Sequence, residues 1–337
     1  MQRRTLASMV CVALALMVVS GVAVAQYQIT NLVSNQVGAA KHIDPLLVNG
    51  WGLVHAATSP FWVSDQGSGW STLYTGTGAA IPLRVLIPSV AGGPGSPTGV
   101  VFNGSSDFQV NGHAALFIFA TLDGSISAWS PQVNLNQSTI KATTPNAIYT
   151  GLAISSKASG NFLYAADVVN NKVDVFDAGF NLVNSFTDPN VPAGFAPFGI
   201  QDINGFVYVA FASQSLGPGG FIDVFSEDGM FVKQLIQGKP LNQPWGMTLS
   251  PKDFGKFSNA LLISNNTNAG TINAFDPNTG KFMGVLKDDS GKVIHIDQLW
   301  AIVFGGGNKN NGQKNQLFFT AGPSNNFAGT FGKIEAK

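Results

Sequence analysis

Trp51-Gly52-Leu53, Thr98-Gly99-Val100, Thr150-Gly151-Leu152, Phe198-Gly199-Ile200, Trp245-Gly246-Met247 and Trp300-Ala301-Ile302 are six variants of one phrase. They recur roughly every 50 residues, a spacing that marks a repeated supersecondary unit. After each copy comes a second apolar run, a polar turn and a third run ending in an aromatic. The third unit shows this most cleanly: Phe162-Leu163-Tyr164-Ala165-Ala166-Asp167, a turn through Asn170-Asn171, then Val173-Asp174-Val175-Phe176-Asp177. Val-Asp-Val-Phe and, in the next unit, Ile222-Asp223-Val224-Phe225 alternate with the period of two that strands require. Turns such as Asp276-Pro277-Asn278-Thr279-Gly280 suit a hairpin into a fourth, outer strand. No stretch carries a convincing helical period. Units of this kind are β-propeller blades, so the chain is expected to be an all-β, six-bladed β-propeller.

The last unit is one strand short. It has Trp300-Ala301-Ile302-Val303-Phe304, Gln316-Leu317-Phe318-Phe319-Thr320 and Phe331-Gly332-Lys333-Ile334, and then the chain stops. A strand-like stretch without a unit, residues 27–34, lies near the other end. The sequence predicts that this segment supplies the outer strand of blade 6 and closes the ring without an open edge. The small residue at the second place of each phrase is expected where inner strands converge on the axis and a Cβ would crowd the next blade.

Of the 337 residues only 11% are charged, and the formal net charge is +0. No cluster of Lys and Arg offers a footprint for nucleic acid or an anionic membrane. Arg3 and Arg4, the apolar run Leu6 to Val19 and the small-x-small triplet Ala23-Val24-Ala25 have the form of a signal peptide over residues 1–25, cut before Gln26. The apolar run is short of the ~20 residues a membrane span needs. The single cysteine, Cys11, leaves with that leader, so the mature chain has no disulfide and no thiolate chemistry. Removing two of the 18 Lys and Arg leaves 16 against 18 Asp and Glu, a net charge of −2. The expected product is a secreted or periplasmic monomer, residues 26–337 forming one propeller with no membrane span.

Ligands of such rings gather at the channel mouth formed by the loops leading into the innermost strands and the turns between second and third strands. Asp65, Asp167, Asn265 and Asn266 fall in such turns, and Trp51, Trp245 and Trp300 share one repeat position and could form an aromatic collar. The competing reading is that the Asp and Asn side chains cap their own turns and the aromatics fill the wedges between blades. His42-Ile43-Asp44 and His295-Ile296-Asp297 are parallel phrases ahead of blades 1 and 6. Two His and two Asp there could hold Zn²⁺, and converging oxygens could hold Ca²⁺. A loop carbonyl for each imidazole is the plainer expectation.

Asn161 to Asp177 resembles an NHL repeat. Thr30-Asn31-Leu32-Val33-Ser34, Leu47-Val48-Asn49-Gly50-Trp51-Gly52-Leu53, Pro97-Thr98-Gly99-Val100-Val101-Phe102-Asn103-Gly104 and Phe186-Thr187-Asp188-Pro189-Asn190 are similar to phrases of uncharacterised secreted bacterial propellers. That resemblance implies the fold and export; it implies no activity. A six-bladed ring with a metal at its mouth is the architecture of lactonases, whose donors are Glu, Asn and Asp. Here Glu227 falls on the opposite face and Glu335 near the C-terminus, and no carboxylate pair is set by spacing. The functional expectation is a binding or scaffolding module for a small polar ligand or a protein. The rival is a metal-dependent hydrolase of the lactonase type using Asp65, Asp167, Asn265, His42 and His295. A structural role in an outer layer is a third expectation.

Overall fold

The computed structural model describes residues 26–157 and 160–337. The leader expected over residues 1–25 lies outside the described residues. Six antiparallel sheets follow the phrase spacing. Blade 1 runs outward through Gly50–Val54, Phe61–Asp65, Trp70–Tyr74 and the short Val85–Leu86, and blade 2 through Pro97–Phe102, Phe117–Thr121, Ser125–Trp129 and Thr139–Thr143. Blade 3 comprises Tyr149–Lys157, Gly160–Asp167, Lys172–Phe176 and Leu182–Phe186; blade 4 comprises Phe195–Ile203, Phe206–Ser213, Phe221–Ser226 and Phe231–Gln237. Blade 5 is Pro244–Leu249, Leu261–Asn265, Ile272–Phe275 and Phe282–Val285.

Blade 6 is closed by the beginning of the described chain. Leu299–Phe304, Gln316–Ala321 and Thr330–Ala336 are followed in the sheet by Tyr27–Ser34, antiparallel in register from Tyr27 opposite Ala336 to Ser34 opposite Thr330. The strand is held by more than its ladder. Tyr27 is buried against Phe254 and Phe257 of blade 5, donates its hydroxyl to Phe254 O at 2.9 Å and accepts from Phe257 N at 3.1 Å. Burial pushes the Tyr27 hydroxyl up to about 12. Leu32 and Val33 sink into the wedge between blades 6 and 1, and Ser34 Oγ donates to Gly329 O at 2.8 Å. Each such buried side chain is worth about 1.5–3 kcal/mol. One element thus ties three blades.

The core is divided among the wedges. Six apolar clusters occupy the six gaps between neighbouring blades. Strand alternation sorts side chains to one gap or the other: Leu163 and Ala165 face blade 2, whereas Tyr164 and Ala166 face blade 4. The third residue of each phrase (Leu53, Val100, Leu152, Ile200, Met247, Ile302) enters the gap shared with the preceding blade. The second residue is small for the reason expected. A Cβ on Gly246 would lie 2.7 Å from Trp300 O, and one on Gly52 would lie 2.9 Å from Val100 N. Buried hydroxyls stitch the inner strands together: Thr98 Oγ1 donates to Tyr149 O at 2.7 Å, Thr150 Oγ1 to Phe198 O at 2.9 Å, and Thr320 Oγ1 to Trp51 O at 2.6 Å across the closing seam.

One repeat position shows how context sets chemistry. Asp174 and Asp223 are equivalent in blades 3 and 4, and both are fully buried. Asp174 accepts from Tyr149 Oη at 2.9 Å and pairs with Lys172 Nζ at 2.7 Å. Asp223 has no such partners; burial, with Asp188 beside it, pushes its carboxyl up to about 7. Protonated, Asp223 can donate to Asp188, whose Oδ2 is otherwise buried without a partner.

Candidate functional site

The aromatic residues of the repeat phrase converge on the axis. Trp51 and Trp300 stack with ring centroids 3.8 Å apart at 26°, and Trp245 meets both edge-on at 6.4 and 5.8 Å. Phe198 packs 6.3 Å from Trp51 and 5.7 Å from Trp300. The collar expected from sequence therefore folds in on itself as a plug, and the three indoles join the wedge between blades 6 and 1. Trp245 Nε1 donates to Thr150 O at 3.0 Å and Trp300 Nε1 to Asn49 Oδ1 at 2.9 Å. Asn49 is held in turn by Gln66 Oε1 at 2.7 Å. Trp51 Nε1 is buried with no partner.

Above the plug lies a cup of about 590 Å³, inside the range of about 300–1,000 Å³ that small-molecule sites occupy. Its floor is Trp51, Trp300 and Phe198, and its wall is mostly amide. Gln243 Nε2 donates to Ser213 O at 3.0 Å, Asn266 Nδ2 to Leu299 O at 3.2 Å, and Gln298 Nε2 to Asn268 Oδ1 at 2.6 Å. These bonds orient the side chains, and Asn266 and Gln298 each keep a second N–H. Asn242 Oδ1 and Asn326 Oδ1 are buried without partners. No residue lining this cup carries a formal charge. Leu216, at 79% exposure, lines the cup, and Phe327, at 81%, follows the lining residue Asn326 in the chain. The backbone here is strained: Leu216, Gln243, Gln298 and the run Ser324, Asn325 and Asn326 all have φ between 49° and 68°. Such left-handed non-glycine residues each cost of order 1–3 kcal/mol and persist where surrounding structure holds them.

The residues singled out from sequence divide. Trp51, Trp300 and Asn266 line the cup, and Trp245 lies against them. Asp65 and Asp167 brace their own hairpins, and Asn265 braces the loop that leads into blade 5. Asp65 Oδ2 accepts from Thr72 N at 3.0 Å, and burial holds that carboxyl well above the usual range. Asp167 accepts from Ile148 N, Asn170 N and Asn170 Nδ2. Asn265 accepts from Asn242 N and donates to Pro240 O. Among the described residues, no three His, Cys, Asp or Glu side chains are grouped so that they could hold a metal ion. His42 sits not in a loop leading inward but in His42–Ile43, a two-residue strand parallel to Tyr27–Ser34 on the rim of blade 6. Asp44 takes the Tyr74 hydroxyl at 3.2 Å and lies 3.8 Å from Arg84. His295 is exposed and pairs with Ala269 O at 3.1 Å. Asp297 Oδ2 accepts from Ser324 N at 3.0 Å and so anchors the loop that carries Asn326 to the cup.

Reasoning from sequence did not single out Gln243, Gln298 and Asn326. A signal for two of them was present: Asn49, Gln243 and Gln298 each stand two places before the Trp of their blade, all at positive φ. The other mouth of the channel is a funnel of about 500 Å³ walled by Val54, Val101, Ile154, Leu249 and Val303, with Asp202 and His55 at its edge. Burial pushes the Asp202 carboxyl up to about 6.

No family model matches the chain. Uncharacterized protein R648 of Acanthamoeba polyphaga mimivirus is 30% identical over 93% of this chain and 81% of its own length. The chain belongs to that protein's family. Uncharacterized protein L690 of the same virus is 30% identical over 82% of this chain and 78% of its own length. These relatives are viral, so the bacterial origin implied by the phrase resemblance finds no support among them. Among solved structures, a streptogramin B lyase superposes with a TM-score of 0.57 at 12% identity, covering 93% of this chain and 98% of the lyase. A catalytically inactive virginiamycin B lyase from Staphylococcus aureus, solved with quinupristin, gives 0.52 at 12% identity over 92% and 99%. At such identity these likenesses show the fold alone. No helix among the described residues is long and apolar enough to cross a membrane.

Proposed function

We propose that the protein is a binding module that takes an uncharged polar ligand in the amide cup over the indole plug. The observation that carries this reading is the combination of an uncharged lining with three buried polar atoms lacking partners: Trp51 Nε1, Asn242 Oδ1 and Asn326 Oδ1. These atoms are shut off from solvent in the free protein at a cost of about 1–3 kcal/mol each, and a ligand that turns their side chains into the cup and pairs them recovers that penalty. Left-handed backbone at Leu216, Gln243, Gln298 and Asn326 fixes the path of the loops that carry these side chains. Asp65, Asp167 and Asn265 already hold backbone groups of their hairpins and of the blade 5 entry loop, and His295 pairs with Ala269 O, which favours the binding reading over the lactonase type.

Export belongs to the same proposal: a channel-mouth receptor made for the outside of a cell, trimmed before Gln26. N-terminal sequencing of the native product beginning at Gln26 checks it; an intact Met1 would refute it. The binding reading is tested by a thermal-shift screen of neutral and charged small molecules on the native sequence and on Asn242→Leu. A ligand at 100 times its Kd adds about 2.7 kcal/mol of stability. Stabilising neutral compounds that lose their effect in Asn242→Leu are expected. Compounds that stabilise both proteins equally would refute the cup as the site.

A further inference from the structure

We infer that the ligand of the cup is a neutral pyranose saccharide. This rests on the binding reading above and names its ligand class. Charged ligands are disfavoured by the lining. A phosphate, carboxylate or ammonium brought onto Asn242, Gln243, Asn266, Gln298 and Asn326 would be desolvated without a counter-charge, which is costly. A cation meets amide oxygens but no carboxylate, and the unpartnered indole N–H of Trp51 repels it.

What remains must both donate and accept. The unpaired set is one donor, Trp51 Nε1, and two acceptors, Asn242 Oδ1 and Asn326 Oδ1. Gln243 Nε2 donates to both Ser213 O and Gly217 O, whereas Asn266 and Gln298 each give one N–H to the protein and keep a second, so the wall both donates and accepts. Hydroxyl groups fit this demand, since each is one donor and two acceptors and rotates to suit. A sugar ring also has flat C–H faces, and the cup has matching apolar surfaces. Phe198, Trp51, Trp300 and the exposed Leu216 line the cup, and the exposed Phe327 is next in the chain to Asn326. Phe327 follows directly on the left-handed run that turns Asn326 toward Gly322, so one loop presents an amide and an aromatic ring together. Peptides bind by adding to a strand edge, filling a helix groove or lying along an aromatic groove, and the cup, set over the channel axis and walled by loop amides, offers none of these.

The test is a glycan array of neutral oligosaccharides, with sialylated and sulfated glycans, Ca²⁺ alone and an uncharged Asn/Gly peptide as further arms. Hits are followed by calorimetry on the native sequence, Asn242→Leu and Phe327→Ala. Phe327 is exposed at 81%, so its replacement leaves the fold intact. The expected result is a neutral glycan whose affinity falls at least about tenfold in both variants and does not change between about 0.05 and 0.5 M salt. Binding of the peptide alone, lost in Asn242→Leu, would overturn the saccharide assignment and leave the binding module standing. Binding confined to charged glycans or Ca²⁺, or to no arm at all, would overturn both.

Discussion

The two mouths of the channel are made by opposite ends of the same six inner strands, and both carry amides, but only one has an indole floor and only the other a titrating carboxylate. At one end, loops at left-handed φ bring Asn and Gln amides over a floor of indoles. At the other, Val54, Ile154, Leu249 and Val303 stand with His55, Gln201, Asn204 and Thr248 in a mixed funnel that carries one carboxylate, Asp202, pushed up to about 6. The strand ends obey the period of the sheet and bury whatever the wedge needs. The loops are free of that period, and their strained backbone is compensated by the packed ring beneath. Specific polar recognition belongs to the loops.

The largest effect expected on this comparison removes both mouths at once. Deleting residues 26–34 withdraws the outer strand of blade 6 and the Tyr27 anchor on blade 5, opening the ring at its seam. Cooperative melting should be lost or Tm should fall sharply; an unchanged melt would show that the seam holds without it. Next, Trp300→Ala breaks the plug that separates cup from funnel. It removes the 3.8 Å stack on Trp51 and the bond to Asn49. Denaturant titration should show a loss of about 3–5 kcal/mol, as for buried large-to-Ala changes. A loss below about 1 kcal/mol would mean that the indoles are not one packed unit.

Titration then separates wedge from mouth. Asp223, in the wedge, has its folded pKa raised to about 7. Its stabilising contribution is therefore full below the unfolded value near ~3.9 and disappears as pH rises through about 7. Asp223→Asn should flatten the fall in stability across that window. Asp202, at the funnel, acts the same way through about 6 but is half solvated, so Asp202→Asn should remove a smaller slope at lower pH. Urea melts of both variants at several pH values check the order. Equal slopes in the native sequence and Asp223→Asn would refute the paired-carboxyl account. Ligand affinity at the cup should be flat over the same window, because no titrating group lines it.

The ring was readable because its cause is local and repeated. Gly246 and Gly52 are glycine since a Cβ there meets the next blade's backbone, and that constraint recurs in five of the six phrases, with Ala301 in the sixth. The closing strand was readable from a vacancy in blade 6 and a spare strand at the other end. His42 was not, because a two-residue parallel pairing leaves no period to detect. The turn-bound role of Asp167 followed from ordinary Asx chemistry, whereas Asn265 reaches across to Pro240 O, a contact that no local spacing announces. The cup was only half legible: Trp51 and Trp300 announced themselves by repetition and Asn266 by its turn, but Gln298 and Asn326 come from different loops that the fold brings together.

The most direct test follows the indole N–H resonances of the six tryptophans by NMR as the ligand identified in the screen is added. If the amide cup is the binding mouth, the Trp51 signal moves furthest. Trp245 and Trp300, already donating to Thr150 O and Asn49 Oδ1, move less, and the amides of Ile203 and Leu249 stay put. Shifts centred on the funnel, with Trp51 unmoved, would contradict the account.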